Sequence, residues 1–309
     1  MNHSALPVPL GRLAAVLLVV AGFMAPVMAA AAAPEAKPAA ATASTIKHRF
    51  VATDESRKQL LLVDQTDPSK DWTVPLPGNR DIRLIAGGRV LVSVPNGYRE
   101  YALADGRLVK EIVHGSDIQT VVRDARGHTF LGNGKVITEL DAQDREVFSL
   151  PLKIKGGFRI MTLTPEGNFI FTDGGNVVEV QRDGTLVHTY DLKALDPLGN
   201  KPYFGQRLPG GDTLCSTGYG ASLLLLDAEG KLKRRIGGRD SLPGVGLNFF
   251  ATSLPLADGG FLVCNWTGHK PEDSAKGPQL VQFDAAGKIV WTWHDPVRAG
   301  TLHGVVLLP

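Results

Sequence analysis

The chain closes with TLHGVVLLP, residues 301–309. VVLL is strand material: β-branched and aliphatic, with no helix cap and no closing turn. A strand at the end of a chain needs a partner, because an unpaired edge invites aggregation. The partner is found by asking what the rest of the chain repeats.

Beyond residue 45 no stretch carries a long 3.6-residue pattern. Short alternating runs separated by glycine turns dominate, which is a β signal. Six segments align. The second strand of each unit reads FVATD (50–54), VLVSV (90–94), TFLGN (129–133), FIFTD (169–173), TLCST (213–217) and LVCNW (262–266). A third strand, an acidic or glycine turn and a fourth strand follow. Glycines precede these second strands at Gly88, Gly127, Gly167, Gly211 and Gly260, 39, 40, 44 and 49 residues apart. That period suits a four-stranded propeller blade of about 40–45 residues.

Ahead of each glycine lies a further strand: DIRLI (81–85), DIQTVV (117–122), FRIMTL (158–163), YFGQRL (203–208) and ATSLPL (251–256). The first unit lacks this strand and starts directly at HRFVATD. LHGVVLL, at the other end of the chain, is the missing piece. The expectation is an all-β, six-bladed β-propeller with four-stranded blades. The C-terminal strand 301–309 pairs with the N-terminal blade and closes the ring.

Composition agrees. The 309 residues carry a formal charge of +2, 43% apolar content, 35 glycines and 20 prolines. No basic run argues for nucleic acid. Arg12 precedes LAAVLLVVAGFMAPVMAA (13–30), an apolar stretch followed by small residues. This reads as a signal peptide over residues 1–30, with a retained membrane anchor as the alternative. Residues 31–45 read as a disordered Ala/Pro linker, and the propeller domain as 46–309. The expected location is periplasmic or secreted, as a monomer with no membrane span after cleavage. Expected partners are a small molecule or another exported protein. Cys215 and Cys264 align in one column, so neighbouring blades present them in parallel rather than face to face. They read as core residues, a disulfide being the alternative.

LVQFDAAGKIVWTWHD (280–295) resembles the repeat of the pyrroloquinoline-quinone-like propellers, with its Asp, Gly-Lys turn and Trp-bearing strand. LLLLDAEGKLKRRI (223–236) matches without the Trp. The resemblance implies the propeller fold and suits a non-dehydrogenase member. Quinoprotein dehydrogenases have eight blades and vicinal cysteines, so none of their catalytic residues carries over to this chain.

Ligands of propellers usually use the loop-bearing mouth of the central channel. Arg83, Gln119, Arg159, Tyr203 and His303 align at one level of the innermost strands. Two arginines, a tyrosine and a histidine there suggest an anion site, since buried guanidinium groups need acceptors. The alternative is bonding to backbone carbonyls and channel water. NWTGHKPEDSAKGP (265–278) is the longest loop between second and third strands, and Trp266 and His269 open it. It either contributes to a site or plugs the mouth. His294 and Arg298 lie in the loop that leads to the closing strand, near His303. Asn265-Trp266-Thr267 matches a glycosylation sequon. Asp54, Asn133 and Asp173 share a column with hard oxygen donors; turn capping is their simpler role, and no metal site is assigned. The sequence names no cofactor; pyrroloquinoline quinone and Ca²⁺ are the two left open. No nucleophile elbow, CxxC or HExxH occurs. The reading is an exported binding protein whose channel mouth favours an anionic group. A hydrolase, lyase or quinone-dependent oxidoreductase using the same mouth is the alternative.

Overall fold

A computed structural model describes residues 45–78 and 80–309. The signal peptide and nearly all of the linker expected from the sequence lie outside the described residues. The described chain forms six four-stranded antiparallel sheets. Blade 1 runs, from channel to rim, Leu302–Leu308, Arg49–Asp54, Gln59–Asp64 and Trp72–Pro75. In blades 2 to 6 the strand order follows the sequence. Their innermost strands are Ile82–Ile85, Thr120–Arg123, Thr162–Leu163, Phe204–Arg207 and Phe249–Pro255. Among the described residues no helix is long and apolar enough to cross a membrane.

The closing strand pairs as the repeat phase requires. Leu308 lies opposite Arg49 and Gly304 opposite Thr53. The ladder then skips His303, so that Leu302 faces Asp54. The extra residue makes a bulge, a device that re-aims a side chain. Asp54 secures the incoming loop by accepting hydrogen bonds from the Gly300 and Thr301 amides at 2.7 and 3.1 Å. The strand also joins two cores. Leu302 and Val305 pack with Trp291 and Trp293 of blade 6, whereas Val306 and Leu308 pack with Ile82 and Val92 of blade 2. Alternation along one strand thus feeds both neighbours.

The column of Asp54, Asn133 and Asp173 caps turns. Asp173 accepts from the Lys155 amide and Asn133 from the amides of Lys135 and Val136. Among the described residues no group of three His, Cys, Asp or Glu could hold a metal ion. Pairing also corrects the alignment of blade 6. Phe261 pairs with Phe283 just before the Asp284 turn, as Thr213 pairs with Leu226 just before the Asp227 turn. Val263, not Cys264, is therefore the counterpart of Cys215. The sequence alignment slipped by one residue there, and in a strand a one-residue slip exchanges the faces. Both cysteines are free and buried, in separate core clusters. Asn265 takes the capping position in this blade. Its amide is fully buried, donating to Gly246 and Pro278 carbonyls at 3.0 and 2.8 Å. A sequon asparagine held this way does not offer its nitrogen to a glycan.

Candidate functional site at the channel mouth

The level of each innermost strand follows from pairing. Val305, Ile82, Val121 and Gly205 are the partners of Ala52, Val92, Leu131 and Cys215. Two residues towards the mouth lie His303, Arg80, Gln119 and Tyr203. The Thr162–Ile170 pair places Arg159 at the same level in blade 4. The residue that completes this ring in blade 2 is Arg80. Arg83, expected from the sequence, lies three residues deeper. Its guanidinium donates to Asp81 and to the Met161 carbonyl at 3.2 and 3.0 Å, and it lines a cavity at the other end of the channel with Arg123, Arg126 and Arg182. Gln119 keeps its level, but its amide bonds to the Asp117 carbonyl and does not line the mouth cavity. His294 and Arg298 turn away, to the Ser274 carbonyl and to Asp71 and Asp295.

The remaining five converge. Arg159, Tyr203, Trp266, His269 and His303 line a mouth cavity of about 460 Å³. Residues that the sequence did not single out join them: Arg80, Lys155, Lys201, Tyr219 and Phe249. Phe249 opens the innermost strand of blade 6, and the other four sit in loops that lead into an inner strand or follow a second strand, where the frame is rigid.

Glu55, in the turn after Arg49–Asp54, ties this cluster together. Its Oε2 accepts from the Trp266 indole nitrogen at 2.8 Å. The same atom lies 3.4 Å from His269 Nδ1 and 3.6 Å from His303 Nδ1. Arg80 approaches the other carboxylate oxygen at 3.9 Å. The imidazole of His303 is parallel to the rings of Tyr203 and Trp266, with centroids 5.3 and 5.5 Å apart. Phe249 meets Tyr203, Tyr219 and Trp266 edge to face. Trp266 is 7% exposed, so it braces the mouth more than it projects into it.

The electrostatics are unbalanced. Several arginines elsewhere in the ring meet carboxylates: Arg123 with Glu100 at 2.8 Å, Arg126 with Glu139 at 2.9 Å, and Arg207 with Glu179. At the mouth Arg159 donates to the neighbouring Phe158 carbonyl and makes no ion pair among the described residues. Burial, and then the positive charge of Arg80, lower its pKa from the ordinary arginine value. Lys155 and Lys201 make no ion pair among the described residues. Burial first, then the charges of Arg80, His269 and Arg159, hold His303 well below the usual histidine range. It is therefore neutral at pH 7, although the Glu55 carboxylate lies 3.6 Å away. Burial raises the Tyr203 phenol above its ordinary value, opposed by Arg80 and Arg159. Among the described residues the buried Tyr203 hydroxyl and His303 Nδ1 have no partner in good hydrogen-bond geometry, although the Arg80 guanidinium comes near enough to the phenol to favour its ionised form. Unsatisfied buried polar atoms are costly and therefore uncommon. Here two of them belong to residues that line one cavity beside two guanidinium groups.

No family model matches the chain, and none of the curated proteins matches it. Solved structures do. A protein of unknown function from Bacteroides caccae is similar with a TM-score of 0.72 and 22% identity, covering 85% of this chain and 99% of that one. A streptogramin B lyase is similar with a TM-score of 0.56 and 11% identity, covering 83% and 85%. A chain of the nidogen/laminin complex gives 0.60 and 15%, covering 84% and 97%. At these identities the likeness establishes the fold.

Proposed function

We propose that this chain is an exported binding protein whose channel mouth takes an anionic ligand. The observation that carries the reading is the pair Arg80 and Arg159. Two like charges share a partly buried site, with one carboxylate at a distance, and arginine suits bidentate capture of carboxylate, sulfate or phosphate. The reading is tested by thermal unfolding in sulfate, citrate and galacturonate at constant ionic strength. A ligand that binds the folded state raises the melting temperature. At least one anion should do so, and Arg159→Ala should abolish the rise while leaving a cooperative transition. No shift with any of the three would overturn the proposal.

Export is supported by the apolar stretch 13–30 and the small residues that end it. N-terminal sequencing of the native protein should find a start near residue 31; a retained Met1 would contradict it. The repeat Leu280–Asp295 supports placing the chain with the pyrroloquinoline-quinone-like propellers.

One arrangement favours a second reading, an enzyme at the same mouth. A neutral buried imidazole beside Glu55 and the Tyr203 phenol offers groups for proton transfer. One of the similar structures is a lyase by name. On this reading His303→Gln abolishes conversion of a bound ligand while binding persists.

A further inference from the structure

The mouth cavity does not end at its aromatic wall. A second cavity of about 400 Å³ lies on the far side of Tyr219, Phe249, Trp266 and His269, and those four residues line both. Its other walls come from the loop between blades 5 and 6 and from the long loop after Trp266, with its short 3₁₀ helix Pro271–Lys276. Arg239, Lys270 and Lys276 line it, against Asp273. Lys276 pairs with Asp273 at 2.6 Å, and Arg239 donates to the Asn248 carbonyl and lies 5.8 Å from the Tyr219 ring centre. Lys270 makes no ion pair among the described residues.

Charge sets these two compartments apart from the rest of the chain. The whole sequence has 33 basic and 31 acidic residues. The first compartment has Arg80, Lys155, Arg159 and Lys201 around Glu55. Adding the second brings seven cations against two carboxylates. Between the two basic ends stands an aromatic ridge, with Tyr219 41% exposed at its crest.

We infer that the mouth is one extended groove for an acidic oligosaccharide, with carboxylates in both compartments and a sugar ring across the ridge. The inference rests on the anion reading above and extends it. The C–H face of a pyranose carries partial positive charge and packs on the negative face of an aromatic ring. A uronate chain alternates such faces with carboxylates, which is the order the groove presents. Single-stranded nucleic acid uses successive exposed rings as stacking platforms; here Tyr219 and His269 are exposed, but the large flat rings of Phe249 and Trp266 are buried. A peptide ligand draws on main-chain partners. Around the ridge the carbonyls of Gly218, Gly246 and Asn248 already accept hydrogen bonds from within the chain.

The test is calorimetric titration of the full chain with galacturonate and trigalacturonate, with sulfate, oligothymidylate and tetraglutamate alongside. The trimer should bind at least tenfold more tightly than the monomer, the scale of one added charged hydrogen bond. Arg239→Ala combined with Lys270→Ala should bring the trimer to within about threefold of the monomer. Equal affinity for monomer and trimer, or a trimer advantage that survives the double variant, overturns the extended groove. Tighter binding of oligothymidylate or tetraglutamate overturns the sugar assignment. If sulfate binds and both uronates fail, the anion site stands and the oligosaccharide falls. If no anion binds, both fall together.

Discussion

Leu302 tests whether the C-terminal strand is a structural member of the ring or a tail resting on it. Its side chain is 0% exposed and packs in the cluster that joins blade 6 to blade 1. Leu302→Ala removes three buried carbons and leaves a cavity between two blades that cannot both move inward. Such changes cost about 2–5 kcal/mol. At roughly 2–4 °C per kcal/mol for a domain of this size, melting should fall by about 4–20 °C. The control is Leu108→Ala, on the outermost strand of blade 2, where the side chain is 43% exposed. That change should stay within about 0.5 kcal/mol. Differential scanning calorimetry and urea unfolding are the assays, and an unchanged urea slope would show that the unfolded state is unaffected. If Leu302→Ala and Leu108→Ala melt within about 1 °C of each other, the closing strand is not part of the cooperative unit and the reasoning fails.

Two further outcomes follow. His303 is held neutral in the folded state, while an unfolded histidine takes up a proton near pH 6.5. The unfolded chain then binds more protons, so stability falls as pH drops below about 6.5, by up to about 1.4 kcal/mol per pH unit from this residue. His303→Asn should flatten that part of the stability curve; an unchanged slope between pH 6.5 and 5 would contradict the assignment. Cys215 and Cys264 are fully buried, and burial pushes the Cys264 thiol up to about 12. Both should resist a thiol reagent in the native protein and react in denaturant; rapid native labelling of either would show that its blade opens.

The ring was legible because its rules are local. Alternation, turn glycines and a period near 40 residues specify blades, and the missing innermost strand of the first unit specifies closure. Two residues differ from the sequence expectation for one physical reason: the level along a strand shifts where a loop ends or a register slips, and neither point is marked in the sequence. Arg83 took the place of Arg80 because the sequence does not mark where the loop ends ahead of Ile82. Cys264 was aligned with Cys215 because one-residue slips leave an apolar run looking unchanged. The site was less legible than the fold. Lys155, Lys201 and Tyr219 carry no motif; they meet because three separate loops rise over one channel. Glu55 stands in an ordinary turn, and only the packed ring brings it within reach of residues more than 200 positions away.

Glu55 comes from the first blade, Trp266 and His269 from the last, and His303 from the strand that returns to the first. The cavity therefore straddles the seam of the ring. A chain whose seam is open has no site, however well its six blades are formed. Occupancy and closure become linked equilibria: whatever settles in the mouth also holds the closing strand to the first blade, and a ligand in short supply would leave the seam as the first place to part.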